Sequence, residues 1–366
     1  MRFLHTSDWH LGRSLRGFDL HDAQVAAADG LVDAAIDAQC DAFIIAGDVF
    51  DRAFPPPESI ALFSRVLTRL HSAGIATIVI AGNHDSGIRL AAYSELLTAG
   101  VHIVGDPNVA GTPIVIADAH VYPLPYLNPD EARTVLADEP LPRSHQAVMS
   151  AAMDRVRTDV AARAHPGPVV AVAHAFVAGG AVSESERDIA VGGVPVVASQ
   201  TFDGMDYVAL GHLHRPQQVH EAMQYPGSLL RYSASEAEHT KRALLVDVST
   251  DGVEIEPVEI EQPRPMIRLS GTMAQLLEYA QDHGNAFVEL TVTDERMPEG
   301  MIATLRNVYP FAMQIRREVT NRPVVNVRGT AVGKSRTDVV TEFLLKTTGT
   351  APTDEELAII EDVVSG

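Results

Sequence analysis

Over the first two thirds of the chain, short apolar runs rich in β-branched residues alternate with longer stretches of helical period. The runs Arg2 to Thr6, Ala42 to Ala46, Ile75 to Ala81, Val169 to Ala173 and Tyr207 to Leu210 are predicted as strands. The stretches His21 to Ala38, Glu58 to Ala73 and Gln146 to Ala164 are predicted as amphipathic helices, so the alternation indicates an α/β layer architecture. From Val109 to Pro123 the pattern turns strand-like. Leu244 to Val248 and Val253 to Ile260 flank Asp251-Gly252 as a hairpin, where the first domain, residues 1–262, is expected to close. Pro263 and Pro265 then interrupt both periods and mark a linker.

A smaller α+β unit is predicted for residues 263–336. It reads as strand (Ile267 to Leu269), helix (Met273 to His283), strand (Ala286 to Thr293), helix (Met301 to Val308) and strand (Ala312 to Arg317). Residues 337–366 hold two further helices, Asp338 to Lys346 and Asp354 to Val364, the second opened by a capping box of Thr353 and Glu356.

Composition narrows the class. With 46% hydrophobic and 21% charged residues and no low-complexity tract, the chain reads as an ordinary globular protein. No apolar run approaches the ~18 residues of a membrane span. The first residues run straight into a strand without a secretion signal, so the cytoplasm is the expected location. Cys40 stands alone, without disulfide or zinc partners, and reads as a small core hydrophobe. A net charge of −20 argues against coating nucleic acid by general electrostatics, so contact with a polyanion must be local.

Chemistry clusters at the ends of the five apolar runs. They are followed in turn by Asp8-Trp9-His10, by Gly47-Asp48-Val49-Phe50-Asp51, by Gly82-Asn83-His84-Asp85, by His174, and by Gly211-His212-Leu213-His214. A single such element is a frequent accident; all five at five strand ends are not. The carboxyl ends of strands in an open α/β sheet share one edge, where ligands bind, so residues far apart in sequence are expected to converge. Carboxylate, imidazole and amide donors without thiolate suit manganese, iron or magnesium better than structural zinc. Seven candidate ligands exceed the needs of one octahedral ion and point to two, with a carboxylate between them. Gly47, Gly82 and Gly211 are expected to let the chain turn sharply there.

Taken in order, these motifs resemble those of the calcineurin-like metallophosphoesterases. More closely, the chain is similar to the SbcD family, the bacterial nuclease subunit of the SbcCD repair complex. The likeness is carried by Thr6-Ser7-Asp8-Trp9-His10-Leu11-Gly12, Ser183-Glu184-Ser185-Glu186-Arg187, Ala209-Leu210-Gly211-His212-Leu213-His214 and Tyr225-Pro226-Gly227-Ser228. The resemblance implies a four-layer α/β/β/α phosphoesterase sandwich followed by a smaller α+β capping domain. It implies that Asp8, His10, Asp48 and His214 hold one metal and that Asp48, Asn83, His174 and His212 hold the other, with His84 as the catalytic histidine. It also implies DNA as substrate, Mn2+ as the expected metal, an SbcC-like ATPase as partner and a homodimer, for which the Glu58 to Ala73 helix is a candidate face.

Two divalent ions would outweigh the charges of Asp8 and Asp48 and draw in a phosphodiester. They would activate water and polarise the phosphoryl oxygens, while His84 donates a proton or hydrogen bond to the developing charge. Asp51 stands where the acid that pairs with the catalytic histidine of phosphoprotein phosphatases stands, and is expected to orient His84. Arg13, Arg16, Arg52 and Arg89 follow the metal motifs and are candidates for phosphate contact, in a chain with only three lysines.

The segment Gly329 to Ser335 looks like a P-loop but fails on spacing, since the required glycine is Arg328. Val339, Val340, Phe343 and Leu344, then Leu357, Ile360, Val363 and Val364, form apolar stripes read as a docking surface for the ATPase. Two other readings compete with a nuclease processing DNA ends and hairpins: a phosphatase or cyclic-nucleotide phosphodiesterase, and a non-catalytic DNA-end-binding subunit.

Overall fold

The computed structural model describes residues 1–97, 100–163, 167–186, 195–318 and 334–365. Arg187 and the Gly329 to Gly333 stretch of the false P-loop lie outside them. The chain divides into two compact units, Met1–Ile267 and Arg268–Gly366.

The first unit contains two six-stranded sheets. One is ordered Gly252–Glu259, Arg242–Ser249, Arg2–Thr6, Ala42–Ala46, Ala76–Ile80, Val101–Val104. The other is ordered Gln217–His220, Met223–Tyr225, Tyr207–Gly211, Val169–His174, Ala119–Leu124, Ile114–Ile116. In the first sheet Arg2–Thr6, Ala42–Ala46 and Ala76–Ile80 run parallel, with Phe3 opposite Ala42 and Ile44 opposite Ile78. In the second, Val169–His174 and Tyr207–Gly211 run parallel, with Val170 opposite Tyr207.

Alternation along each strand assigns its two faces. Phe3, Ile44, Ile78 and Ile80 meet Val170, Val172, Tyr207 and Ala209 in one core between the sheets. The opposite face of the second sheet, with Ala171, Ala173, Val208 and Leu210, is covered by Val148, Met149, Ala152 and Met153 of helix His145–Ala162. On the far face of the first sheet Leu4, Phe43, Ile45 and Val79 are buried, as are Leu31 and Val32 of helix His21–Asp37 and Leu62 and Val66 of helix Pro57–Ser72. The result is the expected four-layer sandwich. Strands covered on both faces read as unbroken apolar runs, which is why these five were visible in the sequence.

The differences are local. The 109–123 stretch is two antiparallel strands, Ile114–Ile116 and Ala119–Leu124, turning where Ala117 takes φ 51°. The later hairpin pairs Ser249 with Gly252, so its turn is Thr250-Asp251, one residue earlier than expected. Ser249 Oγ fixes it by accepting from the Asp251 amide at 3.2 Å. Helix Pro57–Ser72 begins a residue early because proline is tolerated at the first helical position, where no amide donor is needed.

Beyond the first unit's sheets, Met266–Gly271, which begins at the boundary, forms a three-stranded sheet with Phe287–Val292 and Ala312–Arg317, accompanied by helices Met273–His283 and Met301–Val308. The helices Arg336–Thr348 and Asp354–Ser365 are opened by side-chain caps from Ser335 and Thr353. Among the described residues no helix is long and apolar enough to cross a membrane.

A buried histidine bridges the two sheets. His5, fully buried, places Nδ1 3.0 Å from the Tyr207 hydroxyl and Nε2 3.1 Å from the Leu210 carbonyl. Burial lowers its pKa from 6.5 to about 3. Between these values the unfolded chain takes up a proton that the native state refuses, so stability falls as pH falls from 6.5 toward 3. This cost is about 2 kcal/mol at pH 5. A His5→Gln protein should therefore lose about 2 kcal/mol less than the parent between pH 7 and pH 5, in urea unfolding followed by Trp9 fluorescence. Equal losses would remove His5 from the acid limb.

Candidate metal centre

The five polar motifs leave the carboxyl ends of parallel strands in two sheets that face each other, and they meet at one edge. Gly211 pairs with His174 across the second sheet. Contact between the sheets there is so close that a Cβ on Gly211 would stand 1.9 Å from the Ala46 carbonyl, and one on Gly47 would stand 2.2 Å from His174 Nδ1. Only Gly47 among the three glycines at these motifs has the left-handed φ, +92°, expected for a sharp turn. Gly82 and Gly211 are needed for clearance instead. The left-handed backbone falls largely on the ligand candidates themselves: Asp8 (φ 52°), His10 (46°), Asp48 (50°) and His212 (110°). Such residues cost on the order of 1–3 kcal/mol each and persist where surrounding bonds fix them. Here the Asp8 and His10 amides donate to the Gly47 and Asp48 carbonyls, each at 3.0 Å.

Two donor clusters result, sharing one carboxylate. His10 Nε2 and His214 Nε2 lie 2.9 Å apart, and Asp8, His10 and His214 bring their donor atoms within 4.8 Å of one another. Asn83 Oδ1 lies 2.9 Å from His174 Nε2 and 3.1 Å from His212 Nδ1. Asp48 Oδ2 stands between them, 3.7 Å from His10 Nε2 and 3.6 Å from His174 Nε2. Neighbouring ligands of an octahedral ion with ~2.1 Å bonds are ~3 Å apart, so these separations fit hard or borderline divalent cations.

Protonation of the metal-free centre divides the donors, with His10 and His212 ready as neutral ligands and His174 and Asp8 held toward their protonated forms. Burial lowers His10 and His212 well below the ordinary histidine value, with further lowering from neighbouring imidazoles, so both offer neutral lone pairs. Burial also opposes charge on His174, but Asp48, Asp8, the Ala46 carbonyl and Asp85 between them raise its pKa. The His174 Nδ1–H donates to the Ala46 carbonyl at 2.9 Å, which turns Nε2 toward Asn83. Asp8 is raised by burial. Buried carboxylates and neutral imidazoles of this kind are stabilised by a bound cation.

His84 lies beside the first cluster, its ring centroid 4.6 Å from that of His10 and its amide donating to Asp48 Oδ1 at 2.8 Å. Its Nδ1 meets the main-chain carbonyl of Asp51 at 2.8 Å. The partner expected there was the Asp51 carboxylate, which instead lies 3.7 Å from Arg13 Nε. Arg13 is largely buried. Its Nη2 donates to the Ser185 carbonyl at 2.8 Å, its guanidinium lies 4.9 Å from the Tyr232 ring centroid, and its buried Nη1 has no partner among the described residues. Arg16 and Arg52 are exposed, and Arg89 stacks at 3.6 Å on the exposed ring of Phe54.

A family model described as calcineurin-like phosphoesterase matches residues 1–216. A second, described as type 5 capsule protein repressor C-terminal domain, matches residues 262–348. The chain is 35% identical to the SbcD subunit of the nuclease SbcCD from Bacillus subtilis, covering 98% of this chain and 96% of that protein. The chain belongs to the SbcD family of calcineurin-like phosphoesterases. The corresponding SbcCD nuclease subunit of Escherichia coli is 32% identical over 75% of this chain and 72% of its own. Among solved structures, TT1561 of Thermus thermophilus matches 70% of this chain and 98% of its own at 17% identity, with a TM-score of 0.41.

This SbcD-family centre has supporting residues that strand-end reasoning did not find. His214 Nδ1 lies 2.5 Å from Ser185 Oγ, and that hydroxyl lies 2.5 Å from Glu236 Oε1. Lys241 pairs with Glu236, and both are buried. Burial opposes the charge of Glu236, but Lys241, with His214 beside it, holds the carboxyl below its usual range. The signal was present in Ser183 to Glu186 and Gly227-Ser228, segments that carried the resemblance without a role. Lys241 could have been found as one of three lysines, placed just after a strand-end motif's returning loop.

Asp85 is the second omission. Its carboxylate accepts from the amides of Val49 at 3.1 Å, Phe50 at 3.0 Å and Gly82 at 2.9 Å, tying the Asp48 loop to the Asn83 loop. Burial, and then Asp48, push its pKa up to about 7 against those donors. An Asp85→Asn side chain would turn an NH2 toward an amide donor and should cost about 1–3 kcal/mol. Urea unfolding checks this, and an unchanged midpoint would show that the clamp contributes nothing.

Proposed function

We propose that this chain is the metal-dependent nuclease of an SbcCD-type complex, hydrolysing phosphodiesters of DNA ends and hairpins at a centre of two divalent ions. The observation that carries this reading is Asp48 Oδ2 standing 3.7 Å and 3.6 Å from the nearest imidazoles of two donor clusters. Asp8, His10, Asp48 and His214 would hold one ion, and Asp48, Asn83, His174 and His212 the other. Mn2+ suits this mixed imidazole, carboxylate and amide set. When bound, such ions activate water and polarise the phosphoryl oxygens.

The chain's own groups supply the rest. His84, with Nδ1 engaged by the Asp51 carbonyl, presents Nε2 to the developing charge on the leaving oxygen. Asp51 contributes its carbonyl to His84 and its carboxylate to Arg13. Arg13 offers Nη1 to a phosphate, and Arg16, Arg52 and Arg89 supply backbone contacts further out. These local cations act in a chain whose net charge is −20, so DNA is drawn to the centre and not to the surface at large.

The deciding assay sets manganese-dependent degradation of linear duplex DNA against hydrolysis of small phosphoesters. The His84→Gln protein should bind two ions and lose at least about 10²-fold in turnover. Asp48→Ala should lose both ions, whereas Asn83→Ala should keep the first. A chain that hydrolyses small phosphoesters and leaves DNA intact is a phosphatase, and two tightly held ions in Asp48→Ala would refute the shared carboxylate.

The chain is read as cytoplasmic and as assembling through two further surfaces. A second copy would cover helix Pro57–Ser72, on which Ile60 is exposed. An SbcC-like ATPase would dock on the C-terminal helices. Val339 and Phe343 of Arg336–Thr348 and Ile359 and Val363 of Asp354–Ser365 are exposed, while Val340, Leu344, Leu357, Ile360 and Val364 are half-buried. The stripes thus divide between partial burial and exposure, and the exposed part offers apolar surface to a partner. Truncation after Arg336 should preserve metal binding and basal manganese-dependent cleavage while abolishing co-purification with the ATPase. Capture of the ATPase at full affinity by the truncated chain would exclude this surface.

A further inference from the structure

The buried chain of polar groups behind His214 has a direction. Lys241 can only donate, and its three N–H groups go to Glu236, to the His214 carbonyl at 2.7 Å and to Ser228 Oγ at 2.7 Å. Glu236, ionised, can only accept. The Ser185 hydroxyl, 2.5 Å from Glu236 Oε1 and 3.1 Å from Ser183 Oγ, gives its one proton to the carboxylate, the nearer and charged acceptor, leaving a lone pair toward His214 Nδ1 at 2.5 Å. His214 consequently carries its proton on Nδ1, and its bare Nε2 is the atom 2.9 Å from His10 Nε2.

We propose that Glu236 is a positioning residue for the metal centre, fixing through Ser185 the His214 tautomer that exposes Nε2 as a ligand. The inference rests on reading His214 as a ligand of the first ion. Glu236 touches neither substrate nor ion and acts only through the serine. Lys241 sets the polarity: it is the charged donor at the far end, and the other contacts of the carboxylate, from the Tyr232 amide and the Ser228 and Ser233 hydroxyls at 3.3–3.4 Å, are long and neutral. The Ser183 to Glu186 turn adds orientation, because the Glu186 carboxylate accepts from the His214 amide at 2.7 Å and from the Ser183 amide at 2.6 Å. In Glu236→Gln the amide can donate to Ser185 Oγ, which then turns its hydroxyl toward Nδ1 and drives the imidazole proton onto Nε2. In Ser185→Ala the Nδ1 proton loses its acceptor, and His214 Nε2–H can donate to His10 Nε2 instead.

The test uses full-length protein. Long-range nitrogen–proton correlation spectra of metal-stripped, 15N-histidine-labelled chain should place the His214 proton on Nδ1 in the parent and on Nε2 in Ser185→Ala and Glu236→Gln. His214→Gln assigns the signals. Calorimetric Mn2+ titration in an Asn83→Ala background isolates the first position, where either variant should weaken binding about 10- to 100-fold. In a His10→Ala background, which isolates the second position, neither should change it. Glu236→Gln strands the Lys241 charge and can fail to fold; Ser185→Ala keeps both charges and carries the test alone. An unshifted tautomer in Ser185→Ala, or equal weakening at both positions, overturns the proposal. The spectra are taken without metal, so failure of the parent to bind two ions would overturn the reading of the centre while the relay is still decided by the proton's position.

Discussion

Everything at this centre depends on the burial of like and unlike charges where two facing sheets present their strand ends. Asp8 and Asp48 are almost wholly buried, and so are His10, His174, His212 and His214. Carboxylates out of water are costly unless cations sit beside them. The fold makes such a cluster unavoidable, because strands buried on both faces can carry polar chemistry only where they end. The same apolar layers that stabilise the sandwich therefore define the low-dielectric wall of the site.

Placement of the donors is a property of the backbone as much as of the side chains. Four ligand candidates occupy left-handed conformations, and the sheets approach so closely that Gly47 and Gly211 leave no room for a methyl group. Substitution at either glycine would displace the Ala46 carbonyl or the His174 ring, both already paired with each other at 2.9 Å. Strain of this kind is held by the ladder around it, so the donor geometry is set before any ion binds.

The architecture and the donor set were legible because both follow short-range patterns. Doubly buried parallel strands give continuous apolar runs, and the donors come immediately after them. Edge strands were harder. Val101–Val104 is only partly buried and includes His102, so no apolar run marks it. Partners that use main-chain atoms leave no trace in residue identity: His84 is held by the Asp51 carbonyl, and any residue there would offer one. Glu236 and Lys241 were hidden for another reason. Charged residues in a loop read as surface by default, and only the return of Arg242–Ser249 beside Arg2–Thr6 brings that loop under the site.

That return strand explains why the support is layered as it is. The ligand candidates come from the ends of parallel strands, whose positions are fixed by the sheets. Ser185 and Glu186, which touch His214, come from the Ser183 to Glu186 turn, but the groups behind them, Ser228, Glu236 and Lys241, come from the loop joining Met223–Tyr225 to the antiparallel strand Arg242–Ser249, which pairs with the very strand that carries Asp8. The Leu229 amide donates to the Asp8 carbonyl at 3.3 Å, and the Tyr232 hydroxyl donates to the Trp9 carbonyl, so the loop is stitched to the first motif at two points. A displacement of that loop would move Ser228, Glu236 and Lys241 together with the backbone of Asp8 and Trp9. One loop thus couples the tautomer of a histidine from one sheet to the carboxylate of the other.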